Sequence, residues 1–70
     1  MNNTTTTTAA QLTKGARLAD NGNWTNTTVR SVSLASDSDL LVCLTSTHRL
    51  TGRTSTLNEV VESDTLFNLA

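Results

Sequence analysis

The sequence has one cysteine, one histidine and no proline or tyrosine. A lone Cys43 cannot form a disulfide within the chain, and Cys43 with His48 cannot supply the ligand set of a common zinc site. We therefore predict no metal and no cofactor. A chain of 70 residues buries a small core and usually needs a disulfide, a metal or a partner for stability. The sequence favours a partner.

Charged and aromatic residues are also scarce. The net charge is −1, and aromatic residues make up 3% of the chain. A duplex-binding domain usually has a basic face, so nucleic acid is an unlikely ligand. No apolar run approaches the roughly 20 residues that a membrane helix requires, and the start lacks the regions of a signal peptide. We expect a cytoplasmic chain, or part of a particle assembled in the cytoplasm, with no membrane contact.

Threonine is abundant, and its β-branched side chain favours strands over helices. Residues 1–8 form a polar, threonine-rich tail that has no apolar surface to bury. Residues 9–70 form a single small domain on this interpretation. The composition therefore predicts a mainly β domain that follows a tail.

A β-hairpin is the clearest local pattern. Val32 and Leu34 alternate with small residues. After the intervening turn, Val42 and Leu44 share one face of a strand, and Leu41 and Cys43 share the other. The turn is residues 36–39, in which Asp and Ser side chains can bond to nearby backbone amides. Two strands alone are marginally stable in water, so we expect further strands.

The remaining segments complete a small barrel. Residues 48–57, HRLTGRTSTL, are typical of a strand with Gly52 as a bulge or kink. Leu57–Glu62 are typical of one helical turn, and DTLFNL closes the chain as a strand. With a strand at residues 15–19, the order predicts a mainly β, SH3-like five-stranded barrel with one helical turn near Leu57–Glu62.

Residues 8–22 allow a second interpretation. Thr8 with Gln11 makes a possible capping box, and Asn21–Gly22 a possible helix stop. The alternative fold is α+β, with an N-terminal helix on a three-stranded antiparallel sheet. A tight hairpin at Asn21–Gly22 would separate Leu18 and Trp24 onto opposite faces, so we expect a longer loop at residues 20–26.

Two short stretches, VRSV at residues 29–32 and LNEVVE at residues 57–62, resemble small SH3-like barrels. They are similar to the accessory subunits of photosynthetic ferredoxin-handling complexes. The resemblance covers ten residues, and it implies a barrel fold and an accessory role. Those families are usually more basic than this chain.

The candidate site residues are those of a binding surface. Cys43 lies within the best strand and is expected to act as a small buried hydrophobe. His48, Arg49 and Arg53 form a basic cluster that could bind a carboxylate or an acidic partner, and the two arginines would share a strand face. Trp24 is either a core anchor or an exposed contact, and the thin core favours burial.

No catalytic residues are predicted, because no acid, base and nucleophile converge in the sequence. We predict that the protein is not an enzyme. The sequence favours a non-catalytic structural or accessory subunit that docks onto protein partners in a homo- or hetero-oligomeric assembly, for example as a viral particle component. The alternatives are a small nucleic-acid-binding regulator and a small inhibitor of a host protein. The predicted partner-binding residues are Trp24, His48, Arg49 and Arg53.

Overall fold

The fold is mainly β, as the composition predicts. The computed structural model describes residues 5–70. Its elements are β1 (Thr5–Thr8), a 3₁₀ turn (Ala9–Gln11), β2 (Trp24–Leu34), β3 (Asp39–His48), β4 (Thr54–Glu62) and β5 (Leu66–Leu69). The described residues contain no α-helix, so the small β-rich fold is confirmed.

The strands form two antiparallel sheets. One sheet has the order β2-β3-β4, and the other pairs β1 with β5. The extended segment 15–19 lies between them. Its bridges from Arg17 to Thr28 of β2 and from Leu18 to Leu69 of β5 connect the sheets.

The sheets do not close into a barrel. No strand ladder among residues 5–70 joins β4 to β1, and closure of a barrel requires continuous pairing around the ring. The four-residue β1 is too short to pair along the whole of β4, which has nine residues. The prediction of a small β-rich fold is thus confirmed, and the prediction of an SH3-like five-stranded barrel is not.

The expected helical turn at Leu57–Glu62 is wrong, because these residues lie in β4. This strand pairs with β3 in an unbroken register from Asp39 opposite Glu62 to Thr47 opposite Thr54. The pairing provides a partner strand for the β-branched residues Val60 and Val61, and this outweighs any local tendency to form a helical turn.

The N-terminal helix of the alternative fold is also absent. Of residues 5–70, only Ala9–Gln11 are helical, and the Thr8 side chain makes no cap hydrogen bond. Gly15, with φ of +90°, then turns the backbone into the extended segment that pairs with β2. The three-stranded antiparallel sheet of that alternative is present.

The predicted hairpin is confirmed. Leu34 pairs with Leu40 across the turn, and the backbone N–H groups of Ala35 and Ser36 donate to the Asp39 carbonyl at 2.9 and 3.2 Å. The long loop expected at residues 20–26 is replaced by a tight turn. Asn21 and Trp24 exchange two backbone hydrogen bonds of 2.9 Å.

The predicted tail contains a strand. Thr5–Thr8 pair with β5, from Thr5 opposite Leu69 to Thr8 opposite Leu66. The pairing supplies the backbone hydrogen bonds that this polar segment cannot make alone. Strand pairing therefore includes residues before residue 9, while residues 1–4 of the predicted tail lie outside the described residues.

The core is small and aliphatic. It lies between the segment before β2 and one face of the three-stranded sheet, which we call the inner face. Its buried members are Leu12, Leu18, Val29, Val42 and Leu44. Val29 and Val42 are fully buried, and Phe67 and Leu69 of β5 pack partly buried against the cluster. Little apolar area is left to cover β4.

Candidate functional site

Strand β4 is exposed on both of its faces. Eight of its nine residues are exposed, and Val61 alone is half-buried. Leu57 on the inner face is 56% exposed, and Val60 on the opposite, outer face is 59% exposed. A strand that carries uncovered aliphatic side chains on both faces is a candidate contact surface.

An open cleft lies beside β4 on the inner face. It has a volume of about 670 Å³, and the buried residues Leu18 and Leu44 line it. Leu57 of β4 and Leu66 of β5, two large and exposed apolar side chains, also line it. The cleft therefore continues from the core to solvent, with two buried and two exposed leucines among its lining residues.

Trp24 is among the lining residues of this cleft. The side chain is 38% exposed, so the expectation of burial is wrong. The tight turn at Asn21–Trp24 places Trp24 at the start of β2, opposite His48 in the strand register. The two rings meet edge to face, with their centroids 5.0 Å apart and their planes at 87°.

His48 and Arg49 lie next to Trp24. The Leu50 N–H donates to Nδ1 of His48 at 3.3 Å. The guanidinium of Arg49 lies 3.3 Å from the Asp20 carboxylate, and Asp20 itself lines the cleft. Trp24, His48 and Arg49 are thus brought together at one end of the cleft. A role in binding stays a prediction for each of them.

Arg49 and Arg53 do not share a strand face, contrary to the prediction. Strand β3 ends at His48, and the chain reverses before β4 begins. The His48 N–H donates to the Arg53 carbonyl at 2.7 Å, and the Gly52 N–H donates to the His48 carbonyl at 2.8 Å. Gly52, with φ of +72°, is a turn residue rather than a bulge in a strand. Glycine adopts this backbone conformation at little cost.

The charges near β4 are separated by sign. Arg53 immediately precedes the strand, whereas Glu59 and Glu62 lie in its second half and Asp64 follows it. The Arg49–Asp20 contact is the ion pair found among residues 5–70. The β4 edge therefore has a basic start and an acidic end.

Cys43 lies on the outer face of the three-stranded sheet, opposite Ser31 of β2 and Asn58 of β4. Cys43 is half-exposed. The expectation that it is a buried hydrophobe is therefore wrong. Its cross-strand neighbours Ser31 and Asn58 are not titratable.

Within residues 5–70, no set of three or more His, Cys, Asp or Glu side chains is grouped as a metal site would require. Every buried side-chain polar atom there has a hydrogen-bond partner. The buried polar groups are therefore already used in holding the fold.

The apolar part of the site was missed by sequence reasoning. The sequence predicts a helical turn at Leu57 and a closing strand at Leu66, and it indicates neither residue as part of a binding site. One signal was present in the sequence. In a strand over residues 57–61, Leu57, Glu59 and Val61 lie on one face, and Asn58 and Val60 lie on the other. Each face is then mixed, which is the pattern of a strand with no buried side.

Comparison of the chain with protein-family models, with curated proteins and with solved structures finds no match. In the described part of the chain, no helix has the length and apolar character needed to span a bilayer.

Proposed function

We propose that this chain is a non-catalytic subunit that docks onto a protein partner within a larger assembly, through β4 and the cleft beside it. The observation that carries the proposal is the exposure of β4. Leu57, Val60 and Leu66 leave more than half of each side chain in water. Burial of such side chains is favourable by about 25 cal/mol per Å² of apolar surface.

The geometry of the cleft supports a protein ligand. The cleft combines exposed leucines with polar lining residues, and protein interfaces have a similar mixture of apolar and polar groups. Trp24 lies at one end, and partly exposed tryptophans are enriched among residues that dominate binding energy. Arg49 and Asp20 supply polar groups close to that end.

A nucleic-acid-binding role is less well supported. Stacking platforms and a basic groove would be required, but Trp24 and His48 already contact each other edge to face, so one face of one of these two rings is not free for a base. Arg49 is engaged with Asp20. Membership of a viral particle stays a prediction from the composition.

Site-specific photo-crosslinking in the native host tests the proposal. A photoreactive residue replaces Leu57 or Leu66 in the full chain. Leu34, which is 78% exposed at the far end of β2, provides the matched control. We expect discrete protein adducts from positions 57 and 66 and none from position 34.

Two outcomes would contradict the proposal. Adducts that are equally abundant at all three positions would indicate random collisions. Retention of the chain on an oligonucleotide column that falls steeply with salt, without protein adducts, would favour the nucleic-acid alternative.

A further inference from the structure

The two edges of the three-stranded sheet differ in their protection. The β2 edge has two register shifts, between Thr25 and Thr28 and between Val29 and Ser31. Segment 15–19 covers part of this edge, with the Leu18 N–H donating to the Thr27 carbonyl at 2.9 Å. Bulges and covering segments are the usual means by which proteins prevent unwanted strand pairing.

The β4 edge has none of these features. Its nine residues pair with β3 without a register shift, and the strand contains no proline, lysine or glycine. No strand of the described chain pairs with its other edge. A regular, uncovered strand of this length is a template for another strand.

The charges select the direction of that second strand. Arg53 lies at the start of β4, and Glu59 and Glu62 lie toward its end. An antiparallel copy of β4 brings the basic start of each strand beside the acidic second half of the other. A parallel copy would place like charges side by side, which destabilises a strand pair.

We propose that two copies of this chain join through β4 in antiparallel pairing, so that their three-stranded sheets become one continuous sheet. The inference rests on the proposed function and names a second copy as the partner. The two-fold axis is perpendicular to the sheet, so both copies contribute the same patch.

The faces restrict the register of this pairing. Opposed residues in antiparallel strands point to the same side of the sheet, so a residue on the axis meets its own counterpart. With Glu59 on the axis, two carboxylates would be opposed. With Asn58 on the axis, each Leu57 would face a Glu59. With Leu57 on the axis, two exposed leucines meet, and each Arg53 lies diagonal to Glu59 of the other copy.

Charge reversal tests the direction of the pairing. Sedimentation equilibrium of the full chain measures the dimer dissociation constant. We expect Arg53→Glu and Glu59→Arg each to raise this constant about tenfold, since each change breaks two symmetric pairs. The double variant restores both pairs with reversed polarity and should return to within about threefold of the original value. Arg30→Glu, at an exposed position of β2, is the matched control and should leave it unchanged.

A cross-link provides a second readout that does not depend on charge. In a Cys43→Ser chain, oxidation of Leu57→Cys should give a covalent dimer. Oxidation of Leu50→Cys should not, although Leu50 is 78% exposed. Circular dichroism of each variant establishes that it is folded.

The inference is overturned if the folded wild-type chain sediments as a monomer at millimolar concentration, or if the double charge reversal dimerises no better than the single variants. Photo-crosslinks from position 57 to a different protein would leave the proposed function standing while excluding the second copy. A monomer that forms no adducts would contradict both.

Discussion

The side-chain oxygens of Thr27 and Ser46 lie 2.7 Å apart, joined by a hydrogen bond between β2 and β3. Thr27 is the buried polar residue of the core region, and it lies within the register shift between Thr25 and Thr28. The shift thus turns a polar side chain inward, and the Ser46 hydroxyl satisfies it.

Breaking this hydrogen bond from one side should destabilise the protein. Thr27→Val keeps the volume but leaves the Ser46 hydroxyl without its partner, so we expect a loss of about 1 to 2 kcal/mol in the free energy of unfolding. Urea denaturation measures it. The double variant Thr27→Val with Ser46→Ala removes both polar groups and should recover part of the loss. Additive losses would contradict the direct bond.

The core depends on a few aliphatic side chains. Val29 is fully buried, and Val29→Ala removes two methyl groups and leaves a cavity. We expect a loss of about 2 to 3 kcal/mol in the free energy of unfolding. Leu34→Ala, at a position that is 78% exposed, is the control and should change stability by less than about 0.5 kcal/mol. Equal losses at both positions would be inconsistent with the core described above.

The contact between Trp24 and His48 should be measurable as a coupling energy. Edge-to-face aromatic pairs contribute about 0.5 to 1.5 kcal/mol beyond the area that they bury. A double-mutant cycle of Trp24→Ala and His48→Ala, read by chemical denaturation, is expected to give a coupling in this range. A coupling indistinguishable from zero would mean that the rings do not interact in solution.

The turn between β3 and β4 requires a positive φ at Gly52. A Cβ atom at this position would meet no atom within 4 Å, so any cost of Gly52→Ala arises from the backbone and not from a clash. We expect a loss of about 1 kcal/mol. Gly52→Asn should cost less, because asparagine tolerates this conformation better. Thermal unfolding of the two variants compares them, and the reverse order would contradict the turn geometry.

Strand β1 should contribute to stability even though its sequence is only threonine. Deletion of residues 2–8 removes the strand that pairs with β5 and uncovers the backbone groups of Phe67 and its neighbours. We expect a lower unfolding midpoint than in a chain that lacks residues 2–4, in which β1 is retained. Identical midpoints would contradict this contribution of β1 and would support the predicted domain boundary at residue 9.

The features that the sequence predicted correctly are local ones. The hairpin at Leu34 and Leu40 has alternating strands and a Ser-Asp turn within a single short stretch, so neighbouring residues define it completely. The pairing of Thr5–Thr8 with β5 joins opposite ends of the chain. No local pattern could reveal it, because polar threonines look like a tail until their partner strand is known.

The site was less predictable than the hairpin for the same reason. The sequence indicates Trp24, His48 and Arg49 by their residue types alone. Their proximity depends on a turn whose central residues are Gly22 and Asn23, rather than Asn21 and Gly22. Leu57 was misassigned because β4 buries neither face, and a strand without a buried face shows no two-residue alternation of polarity.

The bulges in β2 have a consequence for the size of any complex. Joining of two copies through β4 would leave a β2 edge at each end of the joint sheet. At these edges the register shifts and segment 15–19 would hinder the addition of a third molecule. The dimer would therefore not extend by further strand pairing, and the irregular β2 would prevent growth into a fibre.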